Sequence, residues 1–190
     1  MDHYARRRLA GAVFVGLIVA ALLSLISRPA PTAPPQVTLP AFGSVTRVYD
    51  GDTVEVEGVG RVRLIGIDAM DSYNEDRLRD QARLYGMPEA RVRYWSGQAS
   101  DFAQKMLDGK GVRLEPGPEA RDAYGRVLAY VHVPAGGAGD ENDFGLLMIE
   151  KGLATAYRRF DHPRRAQYLA AEKEARRRRV GLWADAGAAP

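Results

Sequence analysis

The chain has 190 residues, 46% of them hydrophobic, so it can hold one well-packed domain with additional segments but hardly two full domains. It has no cysteine, which excludes disulfides, a thiolate nucleophile and cysteine-containing zinc sites, and leaves oxygen and histidine as ligands for any metal. The net charge of +3 comes entirely from the segment before Gly43, so the remaining chain is neutral and its net charge alone does not indicate nucleic-acid binding.

An uncharged apolar run at residues 9–27 is the first predicted element. At about 1.5 Å per residue it matches a hydrocarbon core of about 30 Å. Three arginines, Arg6, Arg7 and Arg8, precede it. The positive-inside rule therefore predicts that residues 1–8 are cytoplasmic, that residues 9–27 form a transmembrane signal anchor, and that the rest lies outside. The alternative is a cleaved signal peptide, which would make the protein secreted.

A proline-rich segment, residues 28–43, favours an extended spacer between the membrane and the domain. From residue 44 the pattern changes to short β-type runs separated by glycine turns, and helical stretches follow. We predict one domain over residues 44–184 and a short tail at residues 185–190. The predicted strands are residues 44–49, 53–58, 61–67, 112–115 and 126–133, and the predicted helices are residues 74–85, 88–107, 143–151 and 163–179. Five strands and about three main helices predict an α+β fold, mainly β, such as the five-stranded Greek-key barrel of the OB-fold.

Acidic residues cluster where the predicted strands end. Asp52 follows a tight turn, and Asp68 and Asp71 end an apolar run. If the first three strands form a meander, these carboxylates meet at one rim. Such a set suits a hard cation, Ca²⁺ or Mg²⁺, which can polarise a phosphoryl oxygen and position a water.

Two arginines accompany the acids. Arg63 lies on the third predicted strand and Arg126 starts the fifth. Guanidinium groups bind phosphate bidentately and stay charged, so they can stabilise the transition state of phosphoryl transfer. Acids, a metal and two arginines indicate a phosphodiesterase site.

Several motifs taken together resemble the staphylococcal nuclease (thermonuclease) family. VYDGDTVEV resembles the family's DGDT strand, RLIGIDAMD its R-L-x-x-x-D-x-P-E segment, and AYGRVLAYV its YGR-LAY segment. EKGLATAY and VGLW resemble two later pieces, and the order is kept over residues 44–183. The resemblance implies an OB-fold and calcium-dependent cleavage of DNA and RNA with little sequence specificity, Mg²⁺ being the less favoured metal.

The resemblance also implies roles for single residues. They are Asp52, Asp68 and the main-chain carbonyl of Ala69 as calcium ligands, Asp50 as a supporting acid, Arg63 and Arg126 as phosphate clamps, and Tyr124 and Tyr157 as contacts to the bound nucleotide.

The chain departs from the family pattern at the general base. The family has Asp-Thr-Pro-Glu where this chain has Asp-Ala-Met-Asp, so the base position is Asp71, one methylene shorter. A general base must come within about 2.6–3.2 Å of its water or act through one bridging water. We favour Asp71 as the base, with Glu75 as the alternative.

Two further segments each have two interpretations. Residues 72–95 are longer than the family pattern and predict a charged helix with a few apolar positions, Leu78, Ala82 and Tyr85. This helix either screens or widens the substrate cleft or is a solvated surface insertion. Residues 158–179 carry nine basic and three acidic residues. They either attract the phosphate backbone or form an amphipathic helix that packs on the barrel.

The leading hypothesis is a monomeric, membrane-anchored endonuclease that acts on DNA or RNA outside the cytoplasm. The runner-up is a non-catalytic OB module that binds nucleic acid or protein, since this fold also binds without cutting. An anchored adaptor with an inert domain would leave the acid cluster unexplained.

Overall fold

The computed structural model of the protein describes residues 40–136 and 140–184. The predicted cytoplasmic segment, transmembrane anchor and tail, and residues 28–39 of the predicted linker, lie outside these residues. Among the helices of the described part, none is long and apolar enough to cross a membrane.

The described part begins with four strands, continues with two helices, and then mixes strands and helices to its end. The strands are β1 (Phe42–Val48), β2 (Thr53–Val56), β3 (Gly60–Leu64), β4 (Ile67–Ala69), β5 (Gly111–Arg121), β6 (Val127–Pro134), β7 (Glu141–Asp143) and β8 (Ala154–Ala156). The helices are α1 (Glu75–Tyr85), α2 (Glu89–Leu107), α3 (Phe144–Glu150) and α4 (Arg165–Arg177), followed by a 3-10 helix at Gly181–Ala184. Each of the four predicted helices begins and ends within two residues of its observed bounds.

Five of the strands close into a ring. Strands β3, β2, β1, β5 and β6 are neighbours in that order, and a parallel pairing of β3 with β6 joins the two ends. In this seam Val62 lies opposite Val127, so Arg63 is in the seam and Arg126 comes immediately before it. A closed ring leaves no free sheet edge between these strands. The architecture is a mixed α/β fold that is consistent with the predicted OB-type barrel.

The predicted number of five strands was too low, whereas the four helical segments predicted along the chain are all present, one more than the approximate total of three. Among the described residues there are eight strands and four α-helices, because three short strands carry little sequence signal. The apolar run at residues 61–67 breaks where Gly66 has φ 79°, so β4 leaves the barrel and pairs with β8. Strand β1 also starts inside the predicted linker, because Phe42 pairs with Arg113 of β5.

Residues 72–95 fold against the domain and are not a solvated insertion. Leu78, Met87 and Val92 are buried together with Leu182 and Trp183 of the C-terminal 3-10 helix. This second, smaller cluster lies beside the main barrel core. The predicted helix within the segment is confirmed, and its apolar face is part of the protein interior.

The bounds of α1 follow from its capping residues. The side chain of Asn74 accepts hydrogen bonds from the backbone amides of Asp76 and Arg77, and Gly86 ends the helix in the left-handed conformation at φ 61°. The cap fixes the first turn of α1, which carries Arg77.

The basic segment, residues 158–179, forms most of its ion pairs between its own residues. Arg158 and Arg176 both bind the buried carboxylate of Glu172, at 2.8 and 2.6 Å. Arg177 pairs with Glu174 at 2.6 Å. These contacts favour the interpretation of residues 158–179 as a segment that packs on the barrel.

Candidate active site

The predicted metal ligands come from two segments that the fold brings together. Asp50 and Asp52 lie in the turn between β1 and β2, and Asp68 lies in β4. The amide of Ala69 donates to Oδ2 of Asp52 at 2.9 Å, and the amide of Asp52 donates to Oδ1 of Asp50 at 2.9 Å. The predicted meeting of the DGDT turn with the end of the third apolar run is therefore present.

Arg63 contacts two acids of the site, Asp52 and Asp68. Its Nη2 atom lies 3.1 Å from Oδ2 of Asp52 and 3.4 Å from Oδ1 of Asp68. The guanidinium also donates to the carbonyls of Leu64 at 3.0 Å and Ile67 at 2.9 Å. Its side chain is only 12% exposed, so here Arg63 holds the two acids together and balances their charge.

The acids lie in a poorly solvated environment. Burial, followed by the nearby charge of Asp52, raises the pKa of Asp50 to about 7. Burial and the charge of Asp52 also raise the pKa of Asp68, although Arg77 and Arg63 oppose the shift. Crowded, partly desolvated carboxylates are stabilised by added positive charge, which a bound cation can provide.

Gln81 of α1 bridges the end of β4, at Ala69, and the predicted base, Asp71. Its Nε2 atom donates to the carbonyl of Ala69 at 3.1 Å, and its Oε1 accepts from the amide of Asp71 at 2.8 Å. Gln81 is buried. It braces the backbone at the place where this chain lacks the family's proline.

The two candidates for the general base have different surroundings. Oδ1 of Asp71 accepts from the amides of Tyr73 and Asn74, and Oδ2 lies 3.3 Å from Nε of Arg77. Glu75 binds Arg93 through both carboxylate oxygens, at 2.8 and 3.1 Å. Asp71 therefore lines the cleft, whereas the carboxylate of Glu75 is engaged in an ion pair with Arg93.

Arg77 is a residue of this site that the sequence did not reveal. Its Nη2 atom lies 2.8 Å from Oδ1 of Asp68. An arginine on a charged helix resembles a solvated residue in sequence. The one sequence feature that could have indicated Arg77 is its place on a helix that begins only a few residues after Asp68 and Asp71.

Arg126 and Tyr124 occupy one tight turn. Asp122 accepts from the backbone amides of Tyr124 and Arg126, and its Oδ2 lies 2.7 Å from Nε of Arg126. Burial raises the pKa of Asp122, but hydrogen bonds from Arg126 outweigh that effect and lower it. The Arg126 guanidinium lies 5.5 Å from the centre of the Tyr124 ring, which is 86% exposed.

Asp71, Arg77, Tyr124 and Arg126 line one open cleft of about 650 Å³. Its lining residues are Glu55, Arg61, Asp71, Asn74, Arg77, Tyr124, Gly125 and Arg126. The cleft therefore combines three guanidinium groups, an exposed aromatic ring and the predicted base, a set suited to a nucleic-acid strand. Tyr157 is not among the lining residues, and its ring instead packs against Phe160 at 5.8 Å between centres.

The donor chemistry fits a hard cation. Asp52 and Asp68 offer carboxylate oxygens and Ala69 a carbonyl oxygen, which are ligands that Ca²⁺ and Mg²⁺ accept. Within residues 40–136 and 140–184, no three acidic or histidine side chains already form a complete metal cage. The protein oxygens that would hold the cation are the carboxylates of Asp52 and Asp68 and the carbonyl of Ala69.

Comparison with known proteins gives a consistent result. The family profile described as Staphylococcal nuclease homologue matches residues 61–185. A micrococcal nuclease of Shigella flexneri is 34% identical over 163 residues, which cover 80% of this chain and 81% of that protein. A thermonuclease of Staphylococcus intermedius is 35% identical, covering 73% and 74%. An uncharacterized endonuclease of Escherichia coli is 31% identical, covering 78% and 80%.

Proposed function

The chain belongs to the staphylococcal nuclease family and is a hydrolytic nuclease, and from this premise we propose that it is a calcium-dependent endonuclease with little sequence specificity for DNA or RNA. The observation that carries the proposal is the proximity of the acid pair to the cleft. Asp68 lies in β4, and Asp52 accepts a hydrogen bond from Ala69, the last residue of that strand. Ala69 comes two positions before Asp71, which lines the cleft together with Arg126.

Each residue has a distinct part in the proposed reaction. Asp71 accepts a proton from the attacking water at Oδ2, because its Oδ1 is occupied by two backbone amides. Arg126, oriented by Asp122, binds a non-bridging phosphate oxygen and stabilises the charge that develops there. The exposed ring of Tyr124 offers a face on which a base can stack without sequence readout.

Asp52, Asp68 and the Ala69 carbonyl are the residues that would hold the cation, with Asp50 supporting them. A bound Ca²⁺ ion supplies polarisation of the phosphoryl oxygen and a fixed position for the water. Arg63 keeps Asp52 and Asp68 close together through contacts at 3.1 and 3.4 Å. The resemblance to the family also implies that Arg63 binds the phosphate, and we include this second role in the proposal.

The test is cleavage of single-stranded DNA by the full-length protein in a non-ionic detergent, with calcium and with a chelator. We expect calcium-dependent cutting that Arg126→Ala lowers by roughly 100- to 1,000-fold. Arg83→Ala, an exposed arginine of α1 that does not line the cleft, is the matched control and should retain activity. DNA that binds but stays uncut with every metal tried would instead support a binding module.

We also propose, from the apolar run at residues 9–27 and the arginines before it, that the nuclease domain is anchored outside the cytoplasm and acts as a monomer. In cells that express the full chain, the protein should sediment with membranes and be degraded by protease added to spheroplasts. Light scattering of the detergent-solubilised protein should give the mass of one chain plus its detergent. A shortened chain found free in the medium would support a cleaved signal peptide instead.

A further inference from the structure

Arg77 contacts both of the groups that the proposed reaction needs to have free. Its Nη2 atom lies 2.8 Å from Oδ1 of Asp68, a predicted metal ligand. Its Nε atom lies 3.3 Å from Oδ2 of Asp71, the predicted base. One guanidinium therefore spans the cation ligand and the proton acceptor.

This contact competes with a cation at Asp68. A guanidinium does not lose its charge, so Arg77 cannot become neutral when a divalent ion approaches the same carboxylate. Two positive groups at one partly buried carboxylate repel each other, so Arg77 in this position weakens binding of the ion, and a bound ion weakens the hold of Arg77. The other arginine of the cluster, Arg63, is held by two backbone carbonyls in addition to its acids and has much less freedom to move.

The helix under Arg77 is fixed, whereas its side chain can rotate. Asn74 caps the first turn of α1, and buried Leu78 and Gln81 anchor the next turn to the domain. The Arg77 side chain is 48% exposed. Rotation of this side chain within the open cleft would free Oδ2 of Asp71 without any movement of α1.

We propose that Arg77 is a positioning residue that competes with the metal ion for Asp68, so that cation binding releases Asp71 for catalysis. The proposal rests on the proposed calcium dependence of the nuclease. Because coupling between two sites is reciprocal, weakening the hold of Arg77 must strengthen the binding of the ion. The residue acts on the reaction through Asp68 and Asp71.

The test measures Ca²⁺ affinity by titration calorimetry on the full-length protein in detergent, without nucleic acid. Arg77→Gln removes the competing charge and should tighten Ca²⁺ binding about tenfold. Arg79→Gln is the matched control, because it removes the same charge from an exposed position on the same helix, where Arg79 pairs with Asp76 at 2.7 Å. This control should change the affinity by less than about twofold.

Arg77→Lys keeps the charge but cannot form the two-pronged contact, so its affinity should lie between those of the wild type and Arg77→Gln. If circular dichroism shows that Arg77→Gln is unfolded, the lysine variant decides, and affinity equal to or weaker than wild type overturns the proposal. Equal tightening by the Arg77 and Arg79 glutamine variants would indicate a general charge effect and overturn it as well. Ca²⁺ binding by the wild type with no change in Arg77→Gln would refute only this inference, whereas no binding by any variant would refute the calcium proposal too.

Discussion

At the scale of single residues, the proposed base Asp71 has a short side chain that its surroundings orient. Asp71 is placed by three hydrogen bonds, since two backbone amides bind its Oδ1 and Gln81 accepts from its own amide. These contacts set the direction of the remaining oxygen, Oδ2. The carboxylate is thus oriented by hydrogen bonds where the family relies on a longer side chain after a proline.

The first prediction separates the two candidate bases. Asp71→Asn keeps the size of the side chain but removes the proton acceptor, so we expect DNA cleavage at pH 7 to fall by roughly 100- to 10,000-fold. Glu75→Gln should leave cleavage within about threefold of wild type, because Glu75 is held by Arg93 and its exposed ion pair contributes little. The opposite ranking of the two variants in initial rates would assign the base to Glu75.

The second prediction concerns Gln81. Gln81→Leu leaves the buried Ala69 carbonyl and Asp71 amide without their partner, which should lower the free energy of unfolding by about 2–4 kcal/mol. Because one of these bonds holds the Ala69 carbonyl, a proposed metal ligand, Ca²⁺ affinity should also weaken. Urea unfolding and calorimetry of the variant measure the two effects. Gln104→Leu on the exposed face of α2 is the control and should change neither quantity appreciably.

At the scale of secondary structure, the break between β3 and β4 positions Asp68. A Cβ atom at Gly66 would lie 2.4 Å from Cε1 of His162 and 2.9 Å from a ring carbon of Tyr168. The residue also has φ 79°. Glycine is required here for two reasons, since the backbone conformation and the lack of space both exclude a side chain.

The third prediction compares two glycines with similar backbone angles. Gly66→Ala should destabilise the protein by about 2–4 kcal/mol, from left-handed strain together with overpacking. Gly58→Ala has φ 72° and no atom within 4 Å of the added methyl, so it should cost only about 1 kcal/mol. Urea midpoints of both variants give the difference. Equal losses would mean that backbone strain alone accounts for the effect.

The fourth prediction addresses the second core cluster. Leu78→Ala removes a fully buried side chain of α1 and should lower the free energy of unfolding by about 2–5 kcal/mol. Leu84→Ala lies on the same helix but is 70% exposed, and it should change stability by less than about 0.5 kcal/mol. Similar small effects of both variants would show that α1 contributes little to the folded domain.

Local patterns predicted the helices, the barrel strands and the meeting of Asp52 with Asp68. They missed β4, β7 and β8, since a three-residue strand is defined by its partner and has almost no pattern of its own. They also missed Arg77 and Gln81, because a polar residue facing the site and one facing solvent look alike on a helix. Only the tertiary packing of α1 distinguishes these positions.

At the scale of the whole molecule, the positive charge that favours a nucleic-acid substrate is concentrated in the cleft of the described domain. Three arginines line the cleft, whereas Arg158, Arg176 and Arg177 of the basic segment are paired with acids of the same protein. Nucleic acid is therefore expected to contact the cleft, with α4 serving mainly as a structural support.

The fifth prediction follows from this distribution of charge. Binding of a single-stranded oligonucleotide to Asp71→Asn should weaken with salt at a slope of roughly −2 in log–log form, the value for three phosphate contacts. The double variant Arg178→Gln, Arg179→Gln should leave that slope unchanged. A clearly shallower slope in the double variant would show that the exposed end of the basic segment joins the binding surface.

The parallel seam between β3 and β6 also makes assembly of the site depend on closure of the ring. Arg63 lies in this seam and Arg126 immediately precedes it, so two distant parts of the chain meet only after the ring has closed. Such non-local pairing is intrinsically slow, because the cost of loop closure must be met before the contacts form. A chain whose ring is still open therefore lacks the pairing that brings Arg63 and Arg126 together.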